Sequence, residues 1–167
     1  MKGLSKKEIE IVSDLEFNKK YYFTVDDIKN HFINKKQMIN SIYNLRKKGR
    51  IVNLSRNKYY LVPIKARTGK WAEDDFILID ELFNSKDYFI SNWAAANYWR
   101  LTEQIPMKFD VHTTKRQGKV KVLNTPIIFH RTTKKRIQSA SVIRKISDHE
   151  FRIMSKEKTR KWIKSRR

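Results

Sequence analysis

The reading turns on Asn34-Lys35-Lys36-Gln37-Met38-Ile39-Asn40-Ser41-Ile42-Tyr43-Asn44-Leu45-Arg46-Lys47-Lys48-Gly49 and the segment after it, Arg50-Ile51-Val52-Asn53-Leu54-Ser55-Arg56-Asn57-Lys58-Tyr59-Tyr60-Leu61-Val62-Pro63. Asn34 can cap a helix over Lys35 to Lys48, and Met38, Ile42 and Leu45 recur at the i, i+4, i+7 spacing of one buried seam. Gly49 supplies the stop, and Arg46, Lys47 and Lys48 complement the C-terminal end of the dipole. With Met38 at zero on a 100° wheel, the far arc carries Lys36, Gln37, Asn40, Tyr43, Asn44 and Lys47. That arc is basic and rich in amides. After the glycine, Ile51 to Leu54 and Tyr59 to Val62 read as two strands around the cationic tip Ser55 to Lys58, and Pro63 ends the second.

Working upstream, Ser5 and Glu8 form a capping box, with Leu4 and Ile9 at the two positions of a hydrophobic staple. A first helix is expected from near Lys6 to near Phe17. Tyr21-Tyr22-Phe23 is a short extended stretch, and Thr24 caps a second helix that opens with Asp26 and Asp27 and turns Ile28 and Phe32 inward. Three helices followed by a hairpin give a winged helix-turn-helix, whose third helix enters the major groove while the wing meets phosphates. Amides on the far arc read adenine edges, so Gln37, Asn40 and Asn44, with Tyr43 as a stacking or wing-packing residue, are the candidate base readers. Lys35, Lys36, Lys47, Arg50, Arg56 and Lys58 are the candidate phosphate contacts. The plainer alternative is a solvated polar helix face, or a face that binds protein.

Composition supports a polyanionic partner. The 167 residues carry 38 Lys+Arg against 17 Asp+Glu, a formal charge of +21, distributed as +8 over residues 1–63, +2 over 64–130 and +11 over 131–167. Such self-repulsion is tolerated where a polyanion neutralises it, and nucleic acid is the commonest one inside a cell. Hydrophobic residues make up 40% of the chain, enough to build packed cores. No apolar run approaches the ~20 residues of a membrane span. No apolar stretch follows Met1 to Lys7, because Glu8, Glu10 and Asp14 interrupt it, and the expected location is cytoplasmic.

Several chemistries are excluded outright. Without cysteine there is no disulfide, thiolate zinc site or cysteine nucleophile, and the four glycines Gly3, Gly49, Gly69 and Gly118 cannot spell a dinucleotide fingerprint or a P-loop. The one acidic concentration, Glu73-Asp74-Asp75 with Asp80 and Glu81, is placed where a helix dipole favours acids, which weighs against a magnesium nuclease. His31, His112, His130 and His149 lack a metal-binding spacing. Asp110 and His112 share a face of one strand but have no nucleophile or third ligand. No enzyme activity, cofactor or metal is expected.

Downstream of Pro63 the chain changes character. Residues 64–70 read as a linker, Trp71 to Asn84 as a helix with Phe76, Ile79 or Asp80, and Phe83 on one side, and Tyr88-Phe89-Ile90 as a strand. Ser91 is expected to cap a helix holding Trp93, Ala94, Ala95 and Tyr98. Met107 to Thr113, Val120 to Val122 and Ile127 to Phe129 follow as strands. Val142, Ile143, Ile146, Phe151, Ile153 and Met154 suit an added strand pair, and Lys156 to Arg167 reads as a basic amphipathic helix with Trp162 and Ile163. The fold expected is α+β: a winged helix-turn-helix over 1–63, a linker over 64–70, a smaller mixed domain over 71–155 and a basic tail over 156–167. In the tail, Lys161, Lys164, Arg166 and Arg167 are candidates for nonspecific phosphate contact.

Taken in order, these segments resemble the AbiEi-type antitoxins and transcriptional regulators of type IV toxin-antitoxin systems, across roughly residues 5 to 131. The resemblance rests on Tyr59-Tyr60-Leu61-Val62-Pro63 at the end of the hairpin, Tyr88-Phe89-Ile90-Ser91, the small pair Ala94-Ala95, and Leu101-Thr102-Glu103-Gln104-Ile105-Pro106. Arg100 stands where the family usually has glycine, and Asn57 and Lys58 occupy a glycine-rich wing tip. Glu157-Lys158-Thr159 is similar to a family segment, without the acidic residue that usually follows. The resemblance implies a DNA-binding autorepressor of a toxin-antitoxin operon and a second domain that counteracts a nucleotidyltransferase-like toxin; a homodimer on repeated half-sites is an open expectation beside it. The residues alone support a sequence-specific regulator of double-stranded DNA, with an RNA-binding or ribosome-associated basic protein as the alternative.

Overall fold

The structure, a computed structural model, describes residues 3–64, 66, 72 and 74–166. It is a mixed α+β protein with seven α-helices and two sheets among the described residues. The chain divides into two compact units, Met1–Ala72 and Glu73–Arg167. Of the expected linker, only Ile64 and Ala66 are described; Trp71 and Glu73 lie outside the described residues. No helix among the described residues is long and apolar enough to cross a membrane.

In unit 1, α1 spans Lys6–Phe17 and begins where its capping box places it: the Ser5 N–H donates to Glu8 Oε2 at 2.6 Å, and the Glu8 N–H returns to Ser5 Oγ at 3.3 Å. Its inner face is Ile11, Val12 and Leu15, all buried, while Ile9 stays about half exposed. A short strand, β1 (Tyr22–Thr24), leads into α2 (Val25–Ile28). That helix is only four residues long before it tightens into a 3-10 turn over Lys29–His31. Thr24 caps it through Asp27, whose carboxylate accepts from the Thr24 N–H at 2.6 Å and hydroxyl at 2.8 Å. The third helix, α3, runs over Lys35–Lys47, with Asn34 Oδ1 accepting from the Gln37 N–H at 3.0 Å and Gly49 at φ +70° beyond its end. Glycine reaches that left-handed conformation without steric penalty.

Strands β2 (Ile51–Ser55) and β3 (Lys58–Leu61) form the expected hairpin around Arg56-Asn57, with a bulge between Asn53 and Ser55. β1 joins as a third antiparallel strand, in the order β1-β3-β2, pairing Phe23 with Tyr59. Their rings stack at 5.6 Å over a core of Ile11, Val12, Leu15, Ile28, Ile42, Leu45, Ile51 and Leu61. One ion pair closes this core: Lys48 Nζ, just past α3, reaches the buried Glu8 Oε2 at 2.6 Å.

Unit 2 begins at α4 (Asp75–Phe83), later than the sequence pattern suggests, with Asp74 as its cap. A six-stranded sheet follows, built from β4 (Tyr88–Ser91), β5 (Phe109–Thr113), β6 (Gly118–Val122), β7 (Thr125–Arg131), β8 (Ser141–Ile146) and β9 (His149–Met154). Its order is β6-β7-β5-β4-β9-β8, parallel at β5/β7 and β4/β9 and antiparallel elsewhere. Phe76 is the aromatic centre of one side, within 5.6 Å of the rings of Tyr98, Phe109 and Phe151. Both outer strands carry exposed cations, Lys119 and Lys121 on β6 and Arg144 and Lys145 on β8, which discourage edge pairing.

Three expectations for this unit need correction. Ser91 does not cap α5 (Asn92–Tyr98) with its side chain; its hydroxyl donates instead to the Asp110 carbonyl, pinning β4 to β5. The second unit is the larger of the two, because residues 131–167 complete its sheet and add α6 (Lys134–Ala140) and α7 (Lys156–Lys164). The basic tail is therefore a packed element: Thr159 is buried and Trp162 meets Trp93 edge-on at 5.1 Å.

Glu8 is the testable joint of unit 1. Burial alone would raise its pKa, but Lys48 and the Ser5 N–H and hydroxyl outweigh that and hold it below the ordinary carboxylate value of 4.5. A depressed folded-state value means the stabilisation is complete above about 4.5 and lost as pH falls through the lowered value. Glu8→Gln keeps a side-chain acceptor for the cap and loses the charge, so it should cost about 1.5–3 kcal/mol at pH 7. Thermal melts should show the gap from wild type closing as pH falls below the ordinary value of 4.5; a gap independent of pH would refute the role of the charge.

Candidate nucleic-acid interface

Helix α3 is held by a narrow stripe. Ile42 and Leu45 are buried, Met38 packs half-buried on the same cluster, and Lys35, Lys36, Gln37, Ile39, Asn40, Tyr43, Asn44, Arg46 and Lys47 are exposed. All four expected base readers therefore reach solvent, as do Lys35, Lys36 and Lys47. The helix has no acidic residue along its thirteen positions. Two grooves run beside it. One, about 530 Å³, lies between α3, the start of α2 and the hairpin, and is lined by Lys35, Ile39, Tyr43, Arg46, Asp26 and Asn57. The other, about 570 Å³, lies between Tyr43, Arg46 and Lys47 of α3 and Ile51 to Asn53 of β2.

Tyr43 borders both grooves and is 60% exposed, so its ring is available to a ligand rather than fixed against the hairpin core. Arg56 is exposed at the hairpin tip beside Asn57, whose φ of 150° bends the turn. Lys58 is half-buried at the first position of β3, opposite Thr24 and Ser55. In the tail, Lys161, Lys164 and Arg166 are exposed; Lys161 pairs with Glu157 at 2.9 Å and Arg166 lies over the Trp162 ring at 5.7 Å. Arg167 lies outside the described residues.

Arg50 departs from expectation. It is only 8% exposed and its guanidinium points to Glu16 Oε1 at 3.6 Å, so it is a cation of the protein interior and not a phosphate contact. Its Nε and Nη2 atoms are buried without hydrogen-bond partners. A basic residue directly after a helix-stopping glycine looks exposed locally; only the return of the chain beside α1 covers it.

Two residues beside these grooves, Ile39 and Arg46, do not emerge from the sequence pattern as candidate readers. Ile39 is 53% exposed on the flank of α3 facing the first groove, and its one signal is that it is an isoleucine outside the buried seam. Arg46 reads locally as a dipole-complementing residue, yet it borders both grooves. A guanidinium there can fork onto phosphate or guanine, and an apolar flank can meet a thymine methyl.

The alternative chemistries lose their groups to packing. Asp74 accepts from the N–H groups of Phe76 and Ile77, and Asp75 is bonded to the Thr125 hydroxyl. Buried Asp80 accepts from Ser85 Oγ at 2.7 Å and Tyr88 Oη at 2.5 Å, and lies 2.9 Å from His149 Nε2. Burial and the neighbouring Asp80 push the Tyr88 phenol well up, so it stays a protonated donor. Asp110 does not pair with His112: it meets His130 Nε2 on the next strand at 2.6 Å, while His112 stacks on Phe89 at 4.8 Å and on His130 at 5.0 Å. Among the described residues no group of three could hold a metal ion.

No known protein family and no curated protein matches the chain. Among solved structures, the crystal structure of the RV2827C protein from Mycobacterium tuberculosis has a similar fold, with a TM-score of 0.56 at 13% identity. The likeness covers 78% of this chain and 46% of that one, so the chain spans less than half the length of that protein.

The histidine stack makes a pH prediction. Burial first, then the neighbouring His130 and Arg136, push His112 down from 6.5 to about 4, against a smaller opposing pull from Asp110. The unfolded chain takes up this proton at a higher pH than the folded one, so stability falls as pH drops from 6.5 toward 4. His112→Phe keeps a flat ring on Phe89 and removes the titration. Melting temperatures should then decline less steeply between pH 7 and 4.5 than in wild type, about as a one-proton difference requires. Parallel declines would exclude His112 as the source.

Proposed function

We propose that this chain is a sequence-specific regulator that binds double-stranded DNA, with unit 1 acting as a winged helix-turn-helix. The observation that carries the reading is the exposed, acid-free arc of α3, where Gln37, Asn40 and Asn44 stand between Lys36 and Lys47 beside a hairpin tipped by Arg56. In the major groove such amides can bond adenine N6 and N7, and the flanking cations set register on the phosphates. Ile39 and Arg46 join the readers on the flank of the helix. The exposed cations of α7 add sequence-independent attraction.

The finer part of the reading, an autorepressing antitoxin of a type IV toxin-antitoxin operon paired with a nucleotidyltransferase-like toxin, draws its support from the resemblance of segments 59–63, 88–91 and 101–106 to AbiEi-type regulators. Two copies on repeated half-sites would match the symmetry of such operators.

Selection of binding sites from a random duplex pool, followed by titration, tests the reading. Asn40→Ala should weaken binding to selected sites by about tenfold, within the 1–3 kcal/mol of a bidentate base contact, and leave random duplex almost unchanged. Lys36→Ala should weaken both and lower the log-log salt slope by about 0.9. Equal losses on all sequences, or double-stranded RNA outcompeting selected duplex at about 0.15 M salt, would overturn it.

Because α7 is packed into unit 2, its contribution is best read from substitutions that keep the helix. Lys164→Gln with Arg166→Gln should leave the melting temperature within about 2 °C and reduce the salt slope by about 0.9 for each phosphate no longer neutralised. An unchanged slope would remove α7 from the interface.

A further inference from the structure

We propose that unit 2 carries a binding pocket for a small phosphate monoester. Between the turn that joins α4 to β4, strand β9 and helix α6 lies a cavity of about 350 Å³, bordered by Lys86, Asp87, Lys134, Gln138 and Arg152, with the buried Ile137 among its walls. Ligand sites run from about 300 to 1,000 Å³, so the space suits a phosphate with a sugar-sized group attached. Its charge is selective. Three cations face one carboxylate, and none of these four groups forms an ion pair among the described residues. Elsewhere in the same unit neighbouring charges do find each other, as Lys145 with Glu150 at 3.4 Å and Lys161 with Glu157 at 2.9 Å.

The net excess of two positive charges matches a phosphate monoester, which carries about −1.5 to −2 at pH 7. A carboxylate or a backbone phosphodiester brings a single negative charge. Arg152 is also pre-positioned: its backbone N–H donates to Tyr88 Oη at 3.0 Å and its Nη1 to Ser141 Oγ at 3.4 Å, so the guanidinium is presented from a strand. A held guanidinium suits the planar, forked recognition of phosphate oxygens. On the opposite side, Asn84, Ser85 and Asp87 have φ of 51°, 59° and 57°, and Ser85 is tied to buried Asp80 at 2.7 Å. Asparagine and aspartate tolerate this left-handed conformation, and the turn so formed brings Lys86 and Asp87 to the rim.

No residue of unit 1 takes part, so this pocket and the DNA reading stand or fall separately. The test is calorimetric titration of the full chain in about 0.15 M salt, where loose surface attraction is screened, with inorganic phosphate, adenosine monophosphate and adenosine as probes. The two phosphate probes should bind saturably at one site per chain and adenosine should not. Lys134→Gln, at an exposed position, should weaken binding about tenfold or more. Asp87→Asn, which keeps a residue tolerant of positive φ, should tighten it severalfold. Lys119→Gln, on the far edge strand β6, should change nothing. Where Arg152→Gln lowers the melting temperature, Lys86→Gln stands in for it. Absence of saturable binding up to about 10 mM overturns the proposal. So does equal weakening by Lys119→Gln, weakening by Asp87→Asn, or displacement of adenosine monophosphate by short duplex DNA, which would make the occupant a nucleic-acid backbone.

Discussion

The fixing of α3 along a single narrow seam is the constraint on which unit 1 depends. Ile42 and Leu45 are the buried residues of the helix, with Met38 half-buried above them, and the Glu8–Lys48 ion pair closes the far end against the start of α1. Burying one such aliphatic side chain contributes about 1.5–3 kcal/mol, so a few of them suffice to seat a helix whose remaining surface is left to solvent. The pair with Glu8 adds direction to that attachment. A buried carboxylate that already accepts from the Ser5 N–H has little freedom, and Lys48 must approach it along one path. Position and rotation of α3 are set together, and the exposed arc follows from them.

How much of this is legible in the sequence tracks how local the deciding interaction is. The Ser5/Glu8 box, the Asn34 cap, the Gly49 stop and the hairpin around Arg56-Asn57 are each settled within a few residues, and each lies where its pattern indicates. Arg50 reads wrongly as a surface cation because its cover is Glu16 and the neighbouring α1, which no window around Gly49 contains. For Asp110 and His112 the strand face is legible but the partner is not. His130 comes to Asp110 only through the parallel register of β5 and β7. The pattern sets the start of α4 too early for a simpler reason: apolar spacing marks which side of a helix is buried, whereas Asp74 marks where it begins.

The tail shows the same division at larger scale. Its apolar residues announce a strand pair, but the sheet order that places β9 beside β4, far from it in sequence, is a tertiary outcome. Once β9 is seated, α7 has a surface to pack on, and the aromatic that would mark an independent amphipathic helix turns inward to Trp93. A basic amphipathic pattern thus describes the outer side of a docked helix. The exposed cations are the same residues in both pictures; what changes is that their spacing is now rigid.

The distribution of acids gives the two units a common electrostatic character. Glu8, Asp80 and Asp110 are all buried, Asp74 and Asp75 are engaged in cap and strand contacts, and Glu16 is turned to Arg50. A chain already at +21 therefore keeps, among the described residues, three of its seventeen acids in its interior and several more in local contacts, while most of its lysines and arginines remain outside. Those acids are spent on groups close to them, Glu8 on Lys48 and Asp80 on Ser85 and Tyr88, and the positive excess stays with the exposed lysines and arginines. Such an arrangement destabilises the isolated protein by self-repulsion and is relieved by a polyanion. Cations of α3, the hairpin tip and α7 lie on exposed surfaces, whereas Lys86, Lys134 and Arg152 are gathered around one depression of unit 2.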